Sequence, residues 1–95
     1  MSHPTSKSEE LVPQRNRLGI LAILAEASSA QDRFLRETLQ LTDGTLSRHL
    51  GVLESARLVK VTESLKGKRL RTTVLITRTG RKAFAAEIAA LGRRH

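Results

Sequence analysis

The chain has 95 residues and a formal net charge of +8, with 17 Lys and Arg against nine Asp and Glu. That is enough chain for one domain with a modest core, and too little for two. Phe34 and Phe84 are the only aromatics and there is no cysteine, so the core must be aliphatic, and disulfides and thiolate zinc sites are excluded.

The positive charge is unevenly placed. Residues 1–56 carry six Lys/Arg and seven Asp/Glu, a net of −1, whereas residues 57–95 carry eleven Lys/Arg against Glu63 and Glu87, a net of +9. A chain that touches a polyanion over a defined surface has this asymmetry. Charge alone discriminates weakly, because membrane-surface peptides and well-solvated proteins are also basic. No apolar run approaches the roughly 20 residues that span a bilayer. The opening MSHPTSKSEE lacks the apolar segment of a secretory signal. A soluble, cytoplasmic protein is therefore expected.

Residues 1–12 read as a flexible N-terminal arm, polar through residue 10, with Leu11 and Val12 available to pack on the domain or a partner. A first helix follows, opened by Pro13 in its first turn or by Asn16 as N-cap. Leu18, Leu21, Leu24 and Ala25 form one apolar face, and Ile20 and Ile23 widen it. Such width suits either a fully buried central helix or a second face against a dimer partner. Gly19 leaves room for a neighbouring helix. Ala27–Gln31 reads as a loop, with Ser29 or Asp32 as the next cap. A short helix over Asp32–Leu39 then turns Phe34 or Leu35, and Leu39, inward.

The third helix, Thr42–Ala56, carries the most information. Thr42 is a good N-cap and Asp43 puts a carboxylate at the positive end of the helix dipole. Leu46, Leu50 and Leu53 share one face, while Gly44, Arg48, Gly51 and Ser55 point the opposite way, flanked by Thr45, Ser47 and Val52. Small and hydrogen-bonding residues around a single Arg suit entry into a DNA major groove. An amphipathic helix with a merely solvated outer face presents the same pattern.

After Arg57 the period changes. Leu58–Glu63 alternates and is β-branched, Lys66-Gly67-Lys68 is a turn, and Leu70–Ile76 reads as the returning strand. Thr77 or Thr79 caps a last helix whose stripe is Ala83, Phe84, Ile88 and Leu91. The expected architecture is α+β: a winged helix-turn-helix with a three-helix core, a two-stranded β-hairpin wing and a C-terminal helix, all within residues 13–95.

RLGILAIL, FLRETLQLTDGTLSRHLGVLESARLVKV, the KGKRLRTT hairpin and LITRTGRKAF, in this order and spacing, resemble small single-domain winged-helix transcriptional regulators related to the MarR and ArsR families. The likeness runs from about Leu18 to Phe84. It implies a homodimer on a palindromic operator of double-stranded DNA, with the third helix in the major groove and the wing, residues 64–71, on the backbone or minor groove. Carried over position by position, the DNA-facing candidates are Thr42, Asp43, Gly44, Thr45, Ser47 and Arg48 on the helix and Lys66, Lys68, Arg69 and Arg71 on the wing. The dimer candidates are Leu11, Val12, Ile20, Ile23, Phe84, Ile88 and Leu91. Gln40 stands where that group usually has a turn glycine, so it takes an unusual φ or the turn differs. Leu70 replaces a common proline, and Val74 a common aromatic.

His49, at the edge of the buried stripe, reads as a packing residue, with a phosphate contact as the alternative. Arg78, Arg81 and Lys82 oppose the dipole at the start of their helix, which suggests phosphate contacts or, for Arg81, packing within the domain. Catalysis finds no support: the serines lack a His–carboxylate arrangement, no phosphate loop is present, and His3, His49 and His95 assemble no metal cluster. No cofactor is implied, and nothing identifies an effector. The alternative function is a winged-helix protein-interaction module without direct DNA readout.

Overall fold

The computed structural model describes the backbone of residues 4–93 and the side-chain surroundings of residues 13–93. Four helices and three strands follow in the order α1 (Pro4–Ala27), β1 (Ser29–Gln31), α2 (Asp32–Leu39), α3 (Asp43–Ser55), β2 (Val59–Lys66), β3 (Arg69–Ile76) and α4 (Arg78–Gly92). The expected winged-helix plan is present. No described helix is long and apolar enough to cross a membrane.

The core is aliphatic, as the composition demands. Ile20, Leu21 and Leu24 of α1 meet Leu35 of α2, Leu46, Leu50 and Leu53 of α3, Val59 of β2 and Val74 of β3. Ile23, Leu39, Val61, Ile76 and Phe84 close over this cluster. In α2 the choice between two residues is settled: Leu35 is fully buried and Phe34 faces outward. Gly19 lies against Leu39, whose Cδ2 would be 3.0 Å from an added β-carbon, so the close neighbour foreseen for that glycine is α2.

Four expectations are corrected. Helical backbone begins at Pro4 rather than Pro13, so residues 4–12, read as arm, continue α1. Glu9, Glu10 and Leu11 are good helix formers, and Pro4 in the first turn loses no hydrogen bond. An interior Pro13 forfeits one i→i−4 bond without stopping the helix. Residues 1–3 of the expected arm lie outside the described residues.

Second, the Ala27–Gln31 loop contains a strand. Ser29, Ala30 and Gln31 pair antiparallel with Leu75, Val74 and Thr73, giving a three-stranded sheet of order β1-β3-β2. Three residues are too few to show a period of two. Third, neither Ser29 nor Asp32 caps α2. Gln31 occupies that place without a side-chain bond, and Asp32 accepts instead from the Arg33 N–H at 2.7 Å. Fourth, Ile20 is fully buried inside the protomer, which removes it from any dimer face and answers the breadth of the α1 stripe at that position.

The turns follow the physics of left-handed backbone. Gln40 has φ 55°, and Leu41 N–H reaches back to Arg36 O at 2.9 Å, closing α2 in a Schellman arrangement. Arg57, at φ 63°, ends α3 likewise, with Leu58 N–H on Leu53 O at 2.9 Å. The hairpin turn is Gly67-Lys68 between paired Lys66 and Arg69. Gly67 takes φ 66° and Lys68 does not turn positive, the pattern of a type II′ loop.

Candidate nucleic-acid interface

α3 is built as expected, half against the core and half in water. Thr42 caps it: its hydroxyl oxygen accepts from Thr45 N–H at 3.2 Å and its hydroxyl donates to Thr45 Oγ1 at 2.9 Å. Leu46, His49, Leu50 and Leu53 are buried. Gly44, Ser47, Arg48 and Gly51 are exposed, and a β-carbon on Gly44 or Gly51 would meet nothing within 4 Å. The outer face of α3 is therefore shallow near its N-terminus, with Arg48 projecting from it. Arg48 makes no hydrogen bond or ion pair among the described residues.

His49 is a packing residue. It is 3% exposed, and its Nδ1 accepts from Arg17 Nε at 3.3 Å, tying α3 to α1. Burial first, then the positive charges of Arg17 and Arg48, push its pKa below the ordinary imidazole value. Neutral imidazole is the form that accepts from a guanidinium.

Asp43 stands in the first turn of α3, as the dipole argument expects, and has a partner as well. At the first position of α3, its Oδ1 pairs with Arg36 Nε at 2.9 Å. Nothing in the sequence singles out Arg36, because its partner lies across the α2–α3 turn and outside helical spacing. Arg33, Arg36 and Asp43 line a cleft of about 270 Å³ whose far wall is Arg69, Leu70, Arg71 and Thr72 of β3. The N-terminal end of α3 and the returning strand of the wing thus share one groove, with four guanidinium groups and the carboxylates of Asp32 and Asp43 around it. A neighbouring cleft between α3 and the sheet shares Asp32, Asp43 and Thr72 with the first and adds Ser47, Gly51, Glu54 and Glu63, so negative charge gathers on that side.

Lys66, Lys68, Arg69 and Arg71 are all exposed on the hairpin. The cations at the start of α4 divide. Arg81 packs within the domain, donating to Ala25 O at 3.0 Å and Ser28 Oγ at 3.0 Å, which satisfies the end of α1. Arg78 and Lys82 remain exposed. Thr77 is the α4 cap, accepting from Gly80 N–H at 2.9 Å.

Of the residues expected at a dimer face, Ile88 and Leu91 are 47% and 42% exposed on α4. Ile23 and Phe84 are half-buried against the core, and the side chains of Leu11 and Val12 lie outside the described residues. No group of His and acidic side chains among the described residues has the spacing of a metal site.

Comparison with known proteins agrees with this fold. A sequence profile described as a winged helix DNA-binding domain matches residues 16–94. The uncharacterized protein MJ0432 of Methanocaldococcus jannaschii is 40% identical over 68 residues, 72% of this chain and 74% of that one. A Pyrococcus horikoshii structure described as a transcriptional regulator homologue superposes with a TM-score of 0.75 at 34% identity, over 80% of this chain and 75% of that one. Staphylococcus aureus MepR, solved in a DNA-binding conformation, shares the fold at a TM-score of 0.70 and 20% identity, over 93% of this chain and 68% of its own. The resemblance to winged-helix regulators therefore holds, in a family of DNA-binding domains and not of enzymes: the chain belongs to the winged helix DNA-binding domain family.

Proposed function

We propose that the protein is a sequence-specific transcriptional regulator that binds a palindromic operator in double-stranded DNA as a homodimer. Residues 42–56 enter the major groove, led by Gly44, Ser47 and Arg48, and Thr42 and Thr45 hold the helix start that approaches the backbone. Asp43 acts indirectly, holding Arg36 at the groove. Lys66, Lys68, Arg69 and Arg71 grip phosphates alongside. The observation that supports this reading is the groove shared by the start of α3, at Asp43, and by Arg69 and Arg71 of β3, because it sets the first turn of the exposed helix beside a cationic strand.

The dimer is formed by α1 and α4. Ile88 and Leu91 are its apolar anchors, with Ile23 and Phe84 beneath them and Leu11 and Val12 available upstream. The protein acts in the cytoplasm.

Selection from random duplex DNA tests the reading. The retained fragments are expected to share an inverted repeat whose half-sites lie about 34 Å, one helical turn, apart. Retention of fragments with no common sequence overturns sequence-specific readout, and failure to retain duplex DNA overturns the whole proposal in favour of a protein-interaction module.

A further inference from the structure

The packing between α1 and α3 ends in two polar residues where an apolar pair would close the core at lower cost. Arg17 lies one helical turn before Ile20 and Leu21, so it continues the buried stripe of α1. Its side chain is half-buried. His49 is buried among the leucines of α3 and accepts from Arg17 Nε at 3.3 Å. That bond uses one of the five N–H groups of the guanidinium. No other hydrogen bond or ion pair holds the Arg17 side chain among the described residues. A neutral imidazole orients a guanidinium without cancelling its charge. Arg36, by contrast, is paired with the Asp43 carboxylate.

The place of this pair follows from the helix. At about 100° per residue, the outward Arg48 divides α3 into two flanks. Ser47, Gly51 and Glu54 line the acidic cleft toward the sheet. Thr45, His49 and Val52 form the other flank, toward α1, and include no carboxylate. A helix about 10–12 Å across fills a major groove about 12 Å wide, so each of its flanks faces one of the two phosphate backbones. The wing cations serve the sheet side, and Arg17 is the cation that the structure fixes on the α1 side.

We infer that Arg17 grips a backbone phosphate on the side of the major groove away from the wing, and that His49 is the positioning residue that sets its guanidinium there. The inference rests on the DNA-binding reading and adds a contact from α1, which neither the third helix nor the hairpin supplies. A phosphate contact of this kind releases counterions and so steepens the salt dependence of binding, but it carries no sequence information.

The experiment titrates the full-length protein and its variants against a duplex selected by the wild type, by fluorescence anisotropy at several salt concentrations. Arg17→Gln keeps an amide donor for His49 and removes the charge. It is expected to weaken binding about tenfold and to reduce the slope of log K against log salt by about 1, with the selected sequence unchanged. His49→Leu is expected to lower the slope by the same amount although Arg17 is intact, and the two substitutions together are expected to cost no more than Arg17→Gln alone. His49→Asn, whose Oδ1 takes the place of Nδ1 as acceptor, is expected to keep wild-type affinity and slope. Arg17→Gln affinity within twofold of wild type at an unchanged slope overturns the inference, as does an altered sequence preference, which makes Arg17 a base contact. A His49→Leu variant that melts at a lower temperature yet keeps the wild-type slope overturns the positioning role and leaves His49 as packing alone. A wild type that selects no duplex removes the DNA-binding reading itself, whereas a wild type and an Arg17→Gln variant that bind alike remove only the inference.

Discussion

The carbonyl oxygen of Leu58 lies 2.1 Å from where a β-carbon on Gly80 would stand. The same oxygen accepts from Thr77 N–H and from Thr77 Oγ1, both at 3.0 Å. The first turn of α4 is thus pressed onto the backbone that leads from α3 into the wing. A glycine is required there by space. Gly80→Ala must displace backbone and disturb the Thr77 cap, and overpacking of this kind costs about 1–3 kcal/mol or more. Thermal unfolding followed by circular dichroism is expected to show a melting temperature lowered by at least several degrees, whereas Gly92→Ala, where a β-carbon meets nothing, shifts it little.

Gln40 is expected to behave in the opposite way. Its φ of 55° is a conformation that costs a residue with a β-carbon about 1–2 kcal/mol and glycine almost nothing. Gln40→Gly, after the added freedom of the unfolded chain is set against that relief, is expected to stabilise by about 0.5–1 kcal/mol. Urea unfolding measures it, and an unchanged or lower midpoint contradicts the strain argument.

These two positions also show where the sequence was readable. Gln40 was conspicuous because it breaks a pattern of turn glycines, while Gly80 looked like any residue of a helix start. α3 and the hairpin were legible because their periods persist over thirteen and eight residues. β1 was not, since its three residues owe their strand geometry to pairing with β3. The upstream part of α1 was hidden by Pro13, which reads as a beginning. At the candidate interface, the exposed face of α3 and the exposed wing cations were legible in the sequence. The Arg36–Asp43 pair did not, because only the fold of the turn brings those groups together.

His49 makes stability depend on pH. Its folded-state pKa lies below the ordinary value of 6.5 through burial and the nearby Arg17 and Arg48. Between the folded and unfolded values the unfolded chain binds more protons, so stability rises with pH there. The contribution is therefore full above about pH 6.5 and is lost as pH falls through the lowered native value. Urea midpoints at pH 7.5 and pH 5 are expected to differ more for the wild type than for His49→Gln. Equal differences would show that the carboxylates alone account for acid sensitivity.

The proposed dimer predicts a specific solubility and mass. Ile88 and Leu91 are one helical turn apart and exposed, so Ile88→Glu/Leu91→Glu puts two charges on the α4 face without touching the buried core. The wild type is expected to sediment as a dimer and the double variant as a folded monomer that binds a single half-site weakly. A wild-type monomer, or a variant that still dimerises, removes α4 from the interface.

Arg48 and Lys66 separate readout from grip. Arg48 projects from the shallow side of α3 and has no protein partner among the described residues, leaving its planar donors available to a base edge. A bidentate contact to guanine O6 and N7 contributes ~1–3 kcal/mol of discrimination. Arg48→Ala is expected to remove a preference for G at one position in each half-site, visible when sequences selected by the variant are aligned with those selected by the wild type. Lys66 stands exposed on the hairpin, and its proposed partner is phosphate, which carries no sequence information. Lys66→Ala is expected to weaken every duplex alike and to reduce the salt slope by about 1. If Arg48→Ala also weakens all sequences equally and flattens the slope, Arg48 is a backbone contact, and sequence must be read by the smaller residues of α3, Gly44, Thr45 and Ser47.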